Sequence, residues 1–545
     1  MKFTFITLLL FTFHFSSAQR IKQIPPDKPR LIVCIVVEQM RADYIQKFWG
    51  DFGDNGFKRL VNYGTACQNA ELGYGPAHSA SGFATLATGA MPVSHGIVAD
   101  EWYNRVSGER EFAVVNEKYK VVGGRPDGNQ FSPEKLTVNT FSDELKLHFG
   151  PLSKSVSVSL NPVASIILSG HLAGGAYWFD ANTGNMVTSD YYTHALPAWV
   201  ADFNAKKIPD IYLSKPWETS KLITDYSSSL PDKNRFEVGY NGYTVFPYLP
   251  TVFAKSTAKY TPLLMYPSGN TLLKDFAIHA VVGENMGKDS IPDLLSVSFS
   301  ATQQIGSAFG TESIELRDAY IKLDKEIAFL LDFISSDVGM NNTLVYLTSN
   351  HGITQNTSYL ESLNMPAGQF KHRQAVALLG SYLNAVYGNG DWVSYYSGLQ
   401  LYLNHILIEN SRLSLTDVQE RAAQFLIQLT GVAQVYTSAQ LQSPNASDVI
   451  FMRHANAYNR KRSGDLQIVL QPGWTEQIID KSCVNSSAYN PDNQIPLIWY
   501  GWKIEKSKIF ADVTLSDVAP TLSLMLDMPL PSAATGKPIV QLLQK

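Results

Sequence analysis

Short apolar runs, flanked by polar or turn-forming residues, recur along the chain. Runs of five to seven mostly apolar residues are typical of strands that are buried on both faces, as in parallel sheets. The sequence predicts five such strands: Leu31–Val37, Val156–Leu160, Leu294–Phe299, Leu344–Thr348 and Pro496–Tyr500. We expect all five to lie parallel in one sheet.

Segments of helical periodicity lie between these runs. Apolar residues recur at helical spacing over Ser313–Ile334, which has an acidic start. A second helix is predicted over Thr416–Leu429, because Ser414 and Asp417 are typical of a helix N-terminus. Alternation of strands and helices over this length predicts an α/β sandwich with a mostly parallel central sheet.

Polar residues follow several of the predicted strands. They are Glu38, the segment Ser300–Ser307 and the segment Ser349–Gly352. Ligands of open α/β sheets bind at the carboxyl ends of the strands, so we expect a functional site there. Regions 181–290 and 360–480 are less regular and richer in Tyr, Pro, Asn and Gly, and we interpret them as insertions that cap the sheet edge.

The amino-terminal residues are typical of a secretory signal peptide. Lys2 precedes an apolar run over Phe3–Phe13, and Ser16–Ala18 supplies small residues for cleavage. The run is too short to span a bilayer. We therefore expect residues 1–18 to be removed near Ala18 and the mature protein to be periplasmic or secreted, without a membrane span.

Composition excludes several classes of protein. A net charge of −4 over 545 residues gives no indication of nucleic-acid binding. Three cysteines, Cys34, Cys67 and Cys483, are too few for a disulfide framework, although one bridge stays open. Cys34 lies inside an apolar run and is expected in the core.

Longer sequence segments resemble the alkaline phosphatase superfamily, and they occur in the family's order. These segments are Val36–Tyr44, Gly56–Leu60, Thr88–Gly89, His95–Ile97, Ala176–Asp180, Leu196–Val200, Tyr458–Asp465, Asp517–Leu522 and Thr535–Ile539. The chain is most similar to the monomeric, threonine-nucleophile branch found in Bacteroidetes, within the type I phosphodiesterase/nucleotide pyrophosphatase-like group. The resemblance implies an alkaline-phosphatase-like three-layer sandwich over residues 25–545, and a monomer.

The resemblance also implies a site of two zinc ions held by three aspartates and three histidines. For the first metal, the family's aspartate, nucleophile and Asp-His pair correspond here to Glu38, Ser79, Asn350 and His351. Glu38 keeps a carboxylate that is one methylene longer, Ser79 keeps a hydroxyl and His351 keeps an imidazole. Asn350 supplies only a neutral amide.

For the second metal, the resemblance places Gln303, Ser307 and Asn485 where the family has one aspartate and two histidines. Amide and hydroxyl groups are poor zinc ligands, because zinc favours thiolate, imidazole and carboxylate. This half of the site therefore lacks every charged or imidazole ligand that the family uses.

The family's substrate-binding groups are changed as well. Its Lys-x-Arg pair corresponds to Asn161 and Val163, and its phosphate-binding asparagine corresponds to Asp100. A carboxylate at that position would repel a phosphate dianion, and loss of such contacts commonly lowers rates by orders of magnitude.

These substitutions predict that two zinc ions do not bind, since one carboxylate cannot offset four positive charges a few Å apart. We expect either no cofactor or one divalent ion, such as magnesium or calcium, held by the oxygen atoms of Glu38, Ser79 and Asn350.

The leading hypothesis is an exported pseudo-phosphatase that binds a small ligand or a protein partner in the old cleft. The alternative is an active metal-dependent hydrolase of phosphate mono- or diesters, with Ser79 as nucleophile and a single metal at Glu38 and His351. A third possibility is a pure binding or scaffold module.

Individual residues leave further interpretations open. His351 is either a ligand or a hydrogen-bonded structural histidine, and Ser79 is either a nucleophile or an ordinary loop serine. His78 is a possible base for Ser79. The basic run Arg460–Arg462 is either an anion-binding patch or a solvated face.

Overall fold

A computed structural model describes residues 25–125, 128, 130–250, 258–443, 448–477, 483–485 and 487–543. The predicted signal peptide, residues 1–18, lies outside the described residues. The strands are β1 (Leu31–Val37), β2 (Thr65–Glu71), β3 (Glu101–Asn104), β4 (Glu109–Phe112), β5 (Val121–Val122), β6 (Ser155–Ser159), β7 (Gly175–Asp180), β8 (Asn185–Ser189), β9 (Asp293–Phe299), β10 (Thr343–Thr348), β11 (Gly368–Phe370), β12 (Val393–Ser397), β13 (Gln400–Leu403), β14 (Val432–Thr437), β15 (Leu466–Leu470), β16 (Trp474–Glu476), β17 (Leu497–Gly501) and β18 (Ser507–Thr514).

The helices are α1 (Tyr44–Lys47), α2 (Phe57–Tyr63), α3 (Ser79–Thr88), α4 (Pro92–His95), α5 (Phe141–Phe149), α6 (Pro162–Ser169), α7 (Ala198–Ala205), α8 (Ile208–Leu213), α9 (Pro262–Met265), α10 (Pro267–Gly283), α11 (Ala301–Phe309), α12 (Ile314–Asp337), α13 (Thr357–Ser362), α14 (His372–Tyr387), α15 (His405–Asn410), α16 (Leu415–Leu426), α17 (Ser438–Leu441), α18 (Val449–Ala457), α19 (Asn490–Asn493) and α20 (Val518–Met525). The two helices predicted from periodicity correspond to α12 and α16.

Within the described part of the chain, ten strands form one large sheet in the order β18-β2-β17-β10-β1-β9-β6-β7-β8-β5. Its central strands β10, β1, β9, β6 and β7 are all parallel to their neighbours in this group. The predicted α/β fold with a mostly parallel central sheet is confirmed, and four of the five predicted strands lie in this centre.

The prediction that the fifth strand is parallel was wrong. β17 is antiparallel to both of its neighbours, β10 and β2. The segment before it lies at the carboxyl edge of the sheet, where the Asn485 amide donates to the Ala77 carbonyl at 3.2 Å. The chain therefore enters β17 from that edge and runs against the central strands, a direction that an apolar run does not encode.

Helices cover both faces of the sheet, and β1 is therefore buried on both sides. Its side chains at alternate positions, such as Val33 and Ile35, pack in one core with α10 and α12. The intervening side chains, such as Cys34, pack in a second core with α3 and α6. The result is a three-layer sandwich, as the period of two along a strand requires.

A smaller four-stranded sheet, β12-β13-β15-β14, has a core of its own, packed with α14 and α16. It lies within the predicted insertion 360–480. Region 181–290 contributes β8, the strand next to the edge strand β5, to the large sheet and α10 to one of its cores. The division into one domain with two insertions stays a prediction.

Two further findings concern the described residues. None of their helices combines the length and the apolar character needed to cross a bilayer. Cys34, Cys67 and Cys483 are all buried free thiols, so the open possibility of a disulfide is not realised here.

Candidate functional site

The predicted site residues lie at the carboxyl ends of the central strands and at the start of α3. Glu38 directly follows β1, Asn161 lies two residues after β6, and Asn350 and His351 follow β10. Ser79 is the first residue of α3. The sheet therefore places residues that are distant in sequence at one edge: Glu38 and His351, for example, are 313 positions apart.

The Glu38 carboxylate is 1% exposed and is enclosed by hydrogen-bond donors. Its Oε1 accepts from the hydroxyls of Ser300 at 2.6 Å and Ser298 at 2.8 Å. The Asn161 amide donates to both carboxylate oxygens, at 3.2 and 3.3 Å. Burial raises the pKa of Glu38 to about 7, although these donors act to lower it.

A second group of contacts surrounds Ser79. Its Oγ lies 3.0 Å from His351 Nε2 and 3.2 Å from the Gln303 amide nitrogen. His351 Nδ1 lies 2.7 Å from the Gly352 carbonyl, so the proton resides on Nδ1 and Nε2 is an acceptor. The Asn485 amide nitrogen is also 3.2 Å from Nε2. Burial lowers the pKa of His351 to about 4, against the effect of the Gly352 hydrogen bond.

His78 makes no hydrogen bond to Ser79 among the described residues. Its Nε2 is buried without a partner, and burial lowers its pKa. The serine hydroxyl therefore faces His351, which sequence analysis considered only as a metal ligand or a structural residue, and not the neighbouring His78.

Asn350 and Ser307 are both engaged by Gln39, a residue that sequence analysis did not single out. The Gln39 backbone N–H donates to the Asn350 side-chain oxygen at 3.1 Å. The Gln39 side-chain amide donates to Ser307 Oγ at 3.2 Å. Gln39 has φ of 64°, a left-handed conformation that a non-glycine residue adopts only under local constraint.

The predicted substrate-binding positions have also become part of the protein's own hydrogen bonding. Asp100 Oδ1 accepts the Ala80 N–H at 2.8 Å, in the first turn of α3. The Asn161 side-chain oxygen caps α6 by accepting the Ala164 N–H at 3.1 Å. Val163 lies in the first turn of that helix, partly buried against the core. An aliphatic side chain there offers nothing to a phosphoryl oxygen.

Gly82 sets the distance between α3 and the end of β10. A Cβ at this position would lie 2.1 Å from the Asn350 carbonyl oxygen, a backbone atom that cannot move alone. The absence of a side chain is therefore what lets the helix bring Ser79 to His351.

We expect Gly82→Ala to lower the free energy of unfolding by about 2 kcal/mol, because the helix must shift or the backbone must strain. Urea unfolding measures this loss. Gly380→Ala is the matched control, since it lies within α14 and its Cβ would meet nothing within 4 Å. That variant should gain up to about 1 kcal/mol of stability. Equal stability of both variants would contradict the close approach.

Comparison with known proteins agrees with this architecture. The sequence profile of the family described as type I phosphodiesterase/nucleotide pyrophosphatase matches residues 32–481. The chain belongs to this family, and so to the alkaline phosphatase superfamily. It is 34% identical over 530 residues to alkaline phosphatase PafA of Elizabethkingia meningoseptica, with 96% of each chain covered. It is 31% identical to alkaline phosphatase PhoV of Synechococcus elongatus, with 95% of this chain and 93% of that protein covered.

The crystal structure of wild-type PafA superposes with a TM-score of 0.90 at 33% identity, covering 94% of this chain and 99% of that one. The resemblance deduced from sequence segments is therefore confirmed, and with it the superfamily fold. Both relatives are named alkaline phosphatases.

The side chains present do not fit the zinc pair that the superfamily resemblance implies. Of the six ligand positions, Glu38 and His351 alone carry a carboxylate or an imidazole. Among the described residues, no three His, Cys, Asp or Glu side chains come close enough to hold a metal ion together. The remaining positions present amides and hydroxyls, which zinc rarely takes as ligands.

Ser298 and Ser300 are site residues that sequence analysis did not assign. Their position at the end of β9 indicates a role in the site, because the segment Ser300–Ser307 is predicted to lie at the carboxyl edge of the sheet. Their contact with Glu38 required the register of β9 beside β1, in which Ser298 pairs with Val36.

Proposed function

We propose that this protein is an exported, monomeric pseudo-phosphatase of the alkaline phosphatase superfamily. Its cleft binds a ligand other than a phosphate ester, and it does not hydrolyse phosphomonoesters through two zinc ions. The observation that carries this proposal is that the side chains at the metal-ligand positions implied by the resemblance form hydrogen bonds with other groups of the protein.

Two closed networks support it. Glu38 is held by Ser298, Ser300 and Asn161, and no hydrogen bond joins its side chain to Ser79 or His351 among the described residues. Ser79 is held by Gln303 and His351. A metal at either position would have to displace these hydrogen bonds, and buried polar groups that lose partners cost about 1–3 kcal/mol each.

Electrostatic repulsion also disfavours the binding of two zinc ions. Two divalent ions about 4 Å apart repel by roughly 16 kcal/mol at an effective dielectric constant of 20. Carboxylates offset this repulsion in two-metal sites, and Glu38 is one carboxylate where the family has three. Burial raises the pKa of that one carboxyl group to about 7, against the effect of its hydrogen-bond donors.

We expect the protein purified in the presence of zinc to retain fewer than one zinc ion per chain. It should hydrolyse 4-nitrophenyl phosphate no faster than its own Ser79→Ala variant. Elemental analysis and a chromogenic assay measure the two quantities, with PafA, an established relative by fold, as the active control. Two bound zinc ions together with fast turnover that disappears in Ser79→Ala would refute the proposal.

A second candidate function is favoured by one contact. The 3.0 Å approach of Ser79 Oγ to His351 Nε2 is the geometry of a serine nucleophile and its base. A residual ester hydrolase would use this pair, alone or beside a single divalent ion. Covalent labelling of Ser79 by a fluorophosphonate, lost in His351→Ala, would favour it, and labelling with and without a chelator would reveal any metal requirement.

A further inference from the structure

A cavity of about 610 Å³ opens above the altered site, between the large sheet and the smaller four-stranded sheet. The start of α3 and the start of β3 form its inner wall, and the β12–β13 hairpin, the start of α14 and the end of β16 form its outer wall. This volume is within the range of pockets that enclose a small organic ligand.

The cavity is acidic. Asp100 and Glu476 line it with carboxylates, whereas no lysine or arginine is among its described lining residues. Asp100 is exposed and its bond to the Ala80 N–H uses one oxygen. No cationic side chain pairs with Asp100 within the described chain. Glu101 also lines the cavity, but Arg110 lies 3.4 Å from its carboxylate and balances it.

Glu476 is a buried acid whose described ion-pair partner is a histidine. It is 6% exposed, and His372 Nδ1 lies 3.2 Å from its Oε1. Burial lowers the pKa of His372, so this partner is neutral near pH 7. Burial also raises the pKa of Glu476 to about 7. Glu476 therefore has no cationic partner near pH 7 among the described residues, and an ammonium ion bound beside it would stabilise its charged form.

Aromatic and unsatisfied polar groups complete the wall. His372 stacks on Tyr396 with their ring centroids 5.0 Å apart and an interplanar angle of 2°. The Tyr396 hydroxyl interacts with the Glu476 carboxyl group. His78 Nε2 is buried in this wall without a hydrogen-bond partner among the described residues. A buried polar atom of this kind is normally satisfied, so its lack of a partner points to a missing ligand.

The geometry points to a binding site for a protonated amine on a hydroxyl-rich or flexible small molecule, seated between Asp100 and Glu476. The ammonium group would pair with the two carboxylates and approach the face of Tyr396, an arrangement that attracts cations. A ligand hydroxyl or amine would satisfy His78 Nε2. This inference rests on the proposed function, since it names the ligand class of the same cleft.

A phosphate ester is disfavoured by the same groups. A dianion entering the cavity would meet two carboxylates, with no described basic side chain in the lining to balance them. Free amino groups occur on amino sugars and on polyamines, which share the ammonium chemistry and differ in the rest of the molecule.

Isothermal titration calorimetry on the full mature chain tests the inference with four probes. They are a glucosamine tetramer, its N-acetylated counterpart, spermidine and inorganic phosphate. We expect at least one of the two amine probes to bind at least tenfold more tightly than the N-acetylated tetramer and than phosphate. The tetramer and spermidine arms separate an amino sugar from a polyamine as the source of the amine.

Asp100→Asn and Glu476→Gln should each weaken binding of the amine at least fivefold. Their matched controls are Asp512→Asn and Glu420→Gln, which remove exposed acids from β18 and α16 outside the cavity and should leave binding unchanged. The inference is overturned if neither amine binds, if the acetylated tetramer or phosphate binds as tightly, or if both cavity variants bind like the unsubstituted protein.

The two proposals fail separately. Absence of amine binding in a chain that also lacks zinc and phosphatase activity refutes the ligand class alone. Two bound zinc ions with fast phosphate hydrolysis refute the proposed function, whatever the amine titrations give.

Discussion

A variant with all eight altered site positions restored is expected to bind two zinc ions and to hydrolyse an aryl phosphate at least about a thousandfold faster than the unsubstituted chain. The substitutions are Glu38→Asp, Gln303→Asp, Ser307→His, Asn350→Asp, Asn485→His, Asp100→Asn, Asn161→Lys and Val163→Arg. Elemental analysis and steady-state kinetics measure the two gains.

We expect this gain in zinc binding and hydrolysis because the strands that carry the site positions are present. The strands that carry these positions are intact, and the PafA structure superposes on this chain with a TM-score of 0.90. Ser79 also places a hydroxyl at the start of α3, the position that the family resemblance implies for the nucleophile. If the backbone has kept its geometry, restored carboxylates and imidazoles should meet at the distances that zinc requires.

Two partial variants serve as controls. Restoring the five metal-ligand positions alone should recover zinc but leave hydrolysis at least about a hundredfold below the complete variant, because the phosphoryl oxygens lack their cationic partners. Restoring Asp100, Asn161 and Val163 alone should recover neither. A complete variant that folds and yet binds no zinc would show that the strand ends have moved apart.

The second large effect concerns stability and pH. We expect Glu237→Gln to raise the free energy of unfolding by about 2 kcal/mol at pH 8 and to leave it nearly unchanged at pH 4.5. Glu237 is 5% exposed, and a hydrogen bond from the Asn234 side chain offsets the effect of burial on its pKa only in part. Glu315, fully buried, acts on it electrostatically and has one unpartnered oxygen itself.

The direction follows from the pKa shifts. Burial, and then repulsion by Glu315 and Asp232, raises the pKa of Glu237 above that of an unfolded glutamate. Burial likewise raises the pKa of Glu315, although the Tyr248 hydroxyl donates to it at 2.6 Å. A carboxyl whose folded pKa is raised is stable when protonated, so stability is highest below about pH 4 and falls as the pH rises towards the folded pKa.

The charged neighbours of this pair do not cancel the effect. Asp232 adds negative charge. Asp318, which also acts on Glu315, already pairs with Lys322 at 3.1 Å and is therefore balanced. Urea unfolding from pH 4.5 to 8.5 measures the change, with Glu420→Gln on the exposed face of α16 as a matched control. A variant whose stability follows the unsubstituted curve at every pH would contradict a buried, uncompensated pair.

The pattern of apolar residues along the chain predicted most of the central sheet. The apolar runs matched β1 in full and placed β6, β9 and β10 within one residue at each end. This prediction succeeded because strands that are buried on both faces are apolar along most of their length. The same reasoning placed Glu38, Asn350 and His351 at one edge of the sheet, because parallel strands end together there.

The pattern of residues along the chain did not predict the contacts between segments that are distant in sequence. The backward direction of β17, the choice of His351 over His78 beside Ser79, and the serines that enclose Glu38 all depend on register between strands far apart in sequence. The acidic cavity likewise depends on where the smaller sheet lies on the larger one.

Residue types and the periodicity of apolar positions were enough to predict the fold class and the edge of the sheet where the candidate site residues lie, because both are local properties of the chain. The tertiary structure alone decided what the remaining polar groups do. Each buried donor and acceptor must find a partner in space, and those partners are set by packing and not by neighbours along the chain.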